Sequence, residues 1–268
     1  MSIWNNKIVV VTGGSSGLGR SIGNAFAIAG ATTVLVARDR TQLDAAVAEA
    51  GSNQNLDCQV ADVTNEASVI TAIDEIVSRH GRIDVWVNNV GKSTRAKFED
   101  CGVEDFEKLI DINFYSAVRC TKAVLKHLVD SSGQVVNIGS LAAKTGWPNV
   151  APYSVSKHAL AAYSHQMRIE GPDNVNCLFV CTGPIQRLDS ATRYDQQAKG
   201  LDEVAKQPGA GVKLKGIPPE LLASRIVRSC ERRKKDLVMP FSARILFAIA
   251  QLSPRIGDFL LRRASKNK

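Results

Sequence analysis

Six short runs of the chain, residues 8–11, 33–37, 58–61, 84–88, 134–139 and 175–180, are apolar on both faces. They are rich in Val and Ile and do not alternate apolar with polar. A strand wetted on one side alternates, whereas a strand covered on both sides reads as continuous apolar sequence. Between the runs lie segments of helical length with three- and four-residue apolar spacing, at 18–29, 66–79, 103–129 and 152–170. Strands and helices in this alternation wind right-handedly into βαβ units. The pattern therefore predicts an α/β fold, a doubly wound parallel sheet with helices on both faces. Such sheets bind ligands beyond the carboxyl ends of their strands, so chemistry is to be sought in the loops that follow each run.

After residue 180 the pattern changes. Residues 182–216 are polar, contain several glycines and lack a clear period, which marks a long functional loop or lid. A helix over 219–233, a strand at 236–239 and two helices over 241–252 and 254–263, parted at Ser253 and Pro254, complete the expected order.

The first run leads directly into Thr12-Gly13-Gly14-Ser15-Ser16-Gly17-Leu18-Gly19 and then a helix. Gly13 permits the tight turn, Gly17 lets a ligand approach the backbone, and Gly19 lets the helix pack on the strand. The N–H groups at the helix start, Leu18 included, are then aimed at a pyrophosphate. NAD enzymes of this architecture usually close the second strand with a carboxylate for the ribose hydroxyls, but here that strand ends in Ala37-Arg38. A guanidinium pairs with a 2′-phosphate, with Ser15, Ser16 and Arg40 as further donors, so NADP(H) is favoured. Asp39 beside Arg38 leaves NAD(H) open.

Tyr153 and Lys157 stand i, i+4 on the helix over 152–170, hence on one face. An unperturbed tyrosine, with a pKa of about 10, is a poor base near neutrality, and an adjacent cation stabilises its phenolate. Tyr153 is then suited to protonate a nascent alkoxide or to deprotonate an alcohol. Ser140 follows the fifth run at its carboxyl end, where its hydroxyl can hold the substrate oxygen.

Together these residues resemble the classical short-chain dehydrogenase/reductase family over about residues 7–239. The family's TGxxxGxG stands at Thr12 to Gly19, its Asp-Val adenine contact at Asp62 and Val63, and its NNxG at Asn88, Asn89, Val90 and Gly91. Its active-site Asn stands at Asn113, and its Ser and YxxxK at Ser140, Tyr153 and Lys157. The resemblance implies a Rossmann-like sheet of about seven strands in the order 3-2-1-4-5-6-7. It implies that Tyr153 is the acid/base, that Lys157 holds the nicotinamide ribose and lowers the tyrosine pKa, that Ser140 orients the carbonyl, and that Asn113 supports a water-linked proton relay. Asn89, Gly91, Gly183 and Ile185 join the cofactor contacts, and dimers or tetramers form on the helices carrying Asn113 and Tyr153. Three positions depart from the pattern: Val90 replaces Ala, Thr182 replaces Pro and Arg187 replaces Thr, while Gly183 and Ile185 keep the shape of their motif.

On this basis residues 1–240 are expected to form a dinucleotide-binding catalytic domain, and 241–268 a basic amphipathic helical extension of it. The expected function is NADP(H)-dependent hydride transfer to or from a carbonyl or alcohol on a small molecule, such as an apolar ketone or a lipid-like compound. The alternative is a catalytically silent cofactor-binding regulator or scaffold, against which the four intact catalytic positions weigh.

The formal charge of +8 is unevenly spread: residues 228–268 hold 11 Lys and Arg against 3 Asp and Glu, whereas residues 1–227 hold 23 of each. A neutral body with a basic end argues against nucleic acid and for local contact with an acidic surface. The helices over 241–263 accordingly either pack on their own domain or a sister subunit, or make peripheral membrane contact or cover an apolar substrate mouth. Six cysteines without CxxC spacing and four histidines without metal-like partners predict no metal site. Without a run of about 18 apolar residues or a secretory leader, a cytoplasmic protein is expected.

Overall fold

The computed structural model describes residues 2–50, 55–186, 201 and 214–265. Seven strands, β1 (Ile8–Thr12), β2 (Thr32–Ala37), β3 (Leu56–Val60), β4 (Val85–Asn88), β5 (Gln134–Ile138), β6 (Asn176–Thr182) and β7 (Asp236–Met239), form one parallel sheet. Their order is β3-β2-β1-β4-β5-β6-β7. The chain moves outward from β1 to β3, then returns to the other side of β1 at β4. This reversal opens a crevice at the carboxyl ends of β1 and β4, the usual ligand position in such sheets.

The helices are α1 (Gly17–Ala29), α2 (Arg40–Glu49), α3 (Glu66–His80), α4 (Val103–Ile110), α5 (Ser116–Ser131), α6 (Ala151–Glu170), α7 (Pro219–Glu231), α8 (Ala243–Leu252) and α9 (Pro254–Ser265). Alternate residues of β1 show why its sequence is apolar throughout. Val9 and Val11 join Ile22 and Phe26 of α1 and Leu222 and Ile226 of α7 in one cluster. Ile8 and Val10 join Ile73 and Ile76 of α3 and Val124 and Leu128 of α5 in another. Each fully buried aliphatic side chain contributes about 1.5–3 kcal/mol, so both faces drive folding.

The sequence reads 103–129 as a single helix, but a π-helical turn at Asp111–Tyr115 separates α4 from α5. One extra residue in a turn leaves the apolar spacing on either side intact, so periodicity alone does not register it. Such turns recur at functional sites, and this one carries Asn113. The lid expected within 182–216 lies mostly outside the described residues, yet both of its ends are visible. Ile185 and Ile217 form a parallel bridge, with the Gln186 N–H donating to Ile217 O at 2.9 Å and the Ile217 N–H to Pro184 O at 2.8 Å.

At the C-terminal side, Ala243 and Phe247 of α8 pack into a cluster with Leu141, Ala143, Phe179, Cys181 and Val238. Helix α9 crosses α8 closely: a Cβ added at Gly257 would lie 2.8 Å from Ala250 Cα. Among the described residues no helix is long and apolar enough to cross a membrane.

Candidate active site

The glycine loop enters α1 without a side-chain cap. Asp39 and Asn65 cap α2 and α3 by accepting from the Gln42 and Ser68 N–H groups, whereas Ser16 makes no such bond and the first turn of α1 has no acidic residue. The first N–H groups of α1 are thus open to an anion. Gly17 has φ +51° and nothing within 4 Å of the position a Cβ would take, so the backbone faces open space where a ligand can approach. At Gly19 an added Cβ would lie 2.0 Å from Gly13 O. Gly19→Ala is therefore expected to cost about 1–3 kcal/mol by overpacking and to weaken dinucleotide binding in the same measure, as read by thermal melting and by quenching of intrinsic fluorescence on NADPH addition. Unchanged melting and affinity would show that the loop tolerates the methyl group.

The loop is tied to β4 by residues of the NNxG segment. Thr12 Oγ1 donates to Val87 O at 3.1 Å and accepts from the Asn89 N–H at 3.0 Å, while Asn89 Nδ2 donates to Thr12 O at 2.9 Å. Asn88 bridges the sheet, donating to Thr121 Oγ1 and Asn137 Oδ1 and accepting from Trp86 Nε1. Asn89 thus holds the shape of the glycine loop.

At the other end of the crevice, Asp62 Oδ1 accepts from the Thr64 N–H at 2.9 Å and from Thr64 Oγ1 at 2.7 Å. Burial pushes its carboxyl up, but the bonds from Thr64 and then the charges of Arg38 and Arg119 outweigh this and hold it below the usual value. Val63 beside it is buried. Arg38 is exposed and forms no ion pair with the described residues. Its neighbours are engaged: Asp39 caps α2, and Arg40 is bonded to Asp44 at 2.9 Å. Of the donors expected for a 2′-phosphate, Arg38 is the cation left facing solvent, with Ser15 and Ser16 at least partly exposed.

Beyond β5, Ser140 Oγ accepts from the Ala142 N–H at 3.1 Å and starts a 3₁₀ turn, Leu141–Ala143. Half-buried Tyr153 lies in the first turn of α6, behind Pro152, whose missing N–H has no helical partner to lose. Lys157, one turn on, is 4% exposed; its Nζ donates to Ile138 O at 2.8 Å and stands 6.0 Å from the Tyr153 ring centroid. Burial pushes the Lys157 ammonium down to about 8. A Cβ built on Gly91 would lie 3.3 Å from Lys157 Nζ and 3.1 Å from Asn113 Oδ1. Both distances are tighter than ordinary van der Waals contact, so an added Cβ would press on both groups.

Asn113 is 1% exposed and its amide is fully engaged. Oδ1 accepts from the Lys92 N–H at 2.7 Å, while Nδ2 donates to Lys92 O at 2.8 Å and to Ser156 Oγ at 2.9 Å. Ser156 Oγ in turn donates to Tyr153 O at 2.7 Å. Ser156 therefore connects the π-helical turn to the backbone of Tyr153, a role sequence reasoning missed because a serine between Tyr and Lys reads as an ordinary helix residue. His158 does not share this face; its Nδ1 lies 2.8 Å from Ser154 O and it lines a separate apolar cavity with Phe98 and Trp147. Near the nicotinamide side of the crevice, the Gly183 N–H donates to Met239 O at 2.8 Å, Thr182 is buried, and Ile185 makes the bridge to Ile217. Arg187 lies outside the described residues.

A dinucleotide cradle on β1 and a Ser, Tyr and Lys at the ends of β5 and α6 define a nicotinamide-dependent oxidoreductase. The profile of the family described as short chain dehydrogenase matches residues 7–199. The chain belongs to that family, whose enzymes bind NAD or NADP and act on small molecules. It is 36% identical over 245 residues to dehydrogenase/reductase SDR family member 7B of Danio rerio, covering 87% of this chain and 77% of that protein. It is 32% identical over 187 residues to a 3beta-hydroxysteroid dehydrogenase of Mediterraneibacter gnavus, covering 68% and 67%. Among solved structures, a short chain dehydrogenase from Bacillus anthracis superposes with a TM-score of 0.73 at 23% identity, covering 87% of this chain and 94% of that one.

Proposed function

We propose that the protein is an NADP(H)-dependent oxidoreductase that interconverts a carbonyl and an alcohol on an apolar, lipid-like small molecule. The observation that carries this is the buried Lys157 ammonium, anchored on Ile138 O one helical turn from Tyr153 and sharing the space over Gly91 with Asn113. A buried cation is costly unless hydrogen bonds or a counter-charge offset its lost hydration; this one donates to Ile138 O and favours the phenolate of the neighbouring tyrosine. The uncapped start of α1, the open side of Gly17 and the free face of Arg38 fit a dinucleotide with a 2′-phosphate. Such a cofactor supplies or accepts the hydride. Tyr153 gives its phenolic proton to the carbonyl oxygen as the alcohol forms, or takes it back in the reverse direction. Ser140 donates a hydrogen bond to the same oxygen and fixes its orientation. Asn113 and Ser156 keep α6 in register with the Gly91–Lys92 backbone, so that Tyr153 and Lys157 hold their positions.

The apolar substrate class is supported by the steroid-acting relative and by the cluster of Leu141, Ala143 and Phe247 just beyond Ser140. Exposed Val103, Tyr115 and Val155 support dimers or tetramers built on the helices around Asn113 and Tyr153. Incubation with NADPH and a panel of aldehydes, aliphatic ketones, 3-keto lipids and steroids tests the proposal; turnover of an apolar ketone is expected. Tight NADPH binding without turnover of any carbonyl would favour the scaffold alternative.

Arg38→Asp is expected to reverse cofactor preference, since a carboxylate repels the 2′-phosphate and accepts from ribose hydroxyls. The loss of one charge-assisted pair, at about 1.5–3 kcal/mol, corresponds to a roughly ten- to hundredfold fall in kcat/KM for NADPH. A native enzyme that already prefers NADH would refute the assignment of Arg38.

A further inference from the structure

The C-terminal pair α8 and α9 presents a surface that the sheet does not use. Phe241, Ile245, Leu252, Ile256 and Phe259 are 73, 63, 87, 52 and 61% exposed, a dense group of large apolar side chains in one short stretch. Ile245 and Leu252 recur at i and i+7, which brings them onto one stripe of the α8 helix, and Phe241 stands in the turn just before it. Ala243, Phe247 and Ala250 occupy its other side and do the packing. On α9, Ile256 and Phe259 are neighbours at i, i+3.

Arginines accompany both groups. Arg255 and Arg263 are exposed on α9, and Arg244 bonds to Asp236 at 2.6 Å while lying 5.5 Å from the Phe241 ring centroid. The formal excess of positive charge lies wholly in residues 228–268. A second copy is a poor cover for this surface, because a two-fold interface sets a patch against itself and would gather the exposed arginines of both copies in one interface. Short helices with exposed Phe, Ile and Leu among arginines, too short to cross a bilayer, have the chemistry of helices that lie in the boundary of an anionic membrane.

We propose that α8 and α9 dock the protein on an anionic membrane surface, the apolar side chains entering the acyl boundary and the arginines meeting lipid headgroups. Through Phe247, α8 shares a cluster with Leu141 and Ala143, the residues that follow Ser140. Docking therefore sets the reactive end of the sheet beside the lipid, where an apolar substrate is concentrated. This last consequence rests on the function proposed above, but the docking itself does not.

The test is flotation of the full-length protein with vesicles of phosphatidylcholine alone or mixed with phosphatidylserine, at low salt and with added salt. The protein is expected to float with mixed vesicles, to be released by salt, and to stay unbound with phosphatidylcholine alone. The triple variant Phe241→Ser, Ile245→Ser, Leu252→Ser should not float. The pair Arg255→Glu, Arg263→Glu should lose at least about 30-fold in partitioning into mixed vesicles, the loss expected from removing two cations alone. Because these side chains are exposed, both variants should keep the native melting temperature and NADPH affinity, which separates loss of docking from loss of fold. Failure of the unaltered protein to float at low salt would overturn the proposal. So would undiminished flotation of the charge-reversed variant, or a serine variant that breaks an oligomer when the unaltered protein binds no lipid.

Discussion

Tyr153→Phe is expected to lower kcat by about 10²–10⁴-fold, the usual worth of a positioned acid/base, while leaving NADPH affinity within a few-fold. The ring stays in place, so the packing at the start of α6 is retained and only the proton carrier is lost. Ser156 Oγ bonds the backbone carbonyl of Tyr153, a contact the substitution does not touch. Stopped-flow single-turnover kinetics with a saturating ketone separates this from slow product release. Residual turnover near the native rate would transfer the acid/base role to another group.

Lys157→Met is expected to abolish turnover to a similar degree and yet to stabilise the ligand-free protein. Burial lowers the Lys157 pKa from 10.5 to about 8. At pH 7 the folded protein therefore holds a charged group in a site that disfavours charge. The unfolded chain binds this proton more tightly than the folded one, so unfolding free energy rises with pH between about 8 and 10.5. The shift corresponds to at most about 3 kcal/mol, from which the lost bond to Ile138 O subtracts about 1 kcal/mol. Denaturant midpoints should thus favour the Met variant by roughly 1–2 kcal/mol at pH 7, and the advantage should vanish by pH 10. A variant less stable than the native protein at pH 7 would mean that the ammonium is better solvated than its burial implies. Such a cost at a reactive residue is the familiar conflict between stability and activity.

The sheet was legible because its inner strands are covered on both faces, and covered strands read as near-continuous apolar sequence. Thr33, buried in β2 among Val34, Leu35 and Val36, does not break that signal. The candidate pair was legible through spacing: i, i+4 is a geometric statement once a helix is assumed, and the structure has Lys157 Nζ 6.0 Å from the Tyr153 ring centroid. What spacing did not carry was the wiring between elements. The contacts of Asn113 with Lys92 and Ser156 depend on a π-helical turn that shifts one residue in space without changing the periodic pattern around it. The commitment of Arg40 to Asp44 is an i, i+4 pair and escaped only because no helix was assigned over 40–49 from the sequence. That Asp39 gives one carboxylate oxygen to the Gln42 N–H at the start of α2 is likewise not visible in its adjacency to Arg38.

The bridge between Ile185 and Ile217 fastens the two ends of the intervening stretch to each other, next to β6 and β7. Closing a longer stretch costs little more, because the entropy of closure grows only logarithmically with length. Changes in the length of the stretch between the two isoleucines therefore add little to the entropic cost of closing it. That length can then vary while β5 and β6 keep their register beside Ser140.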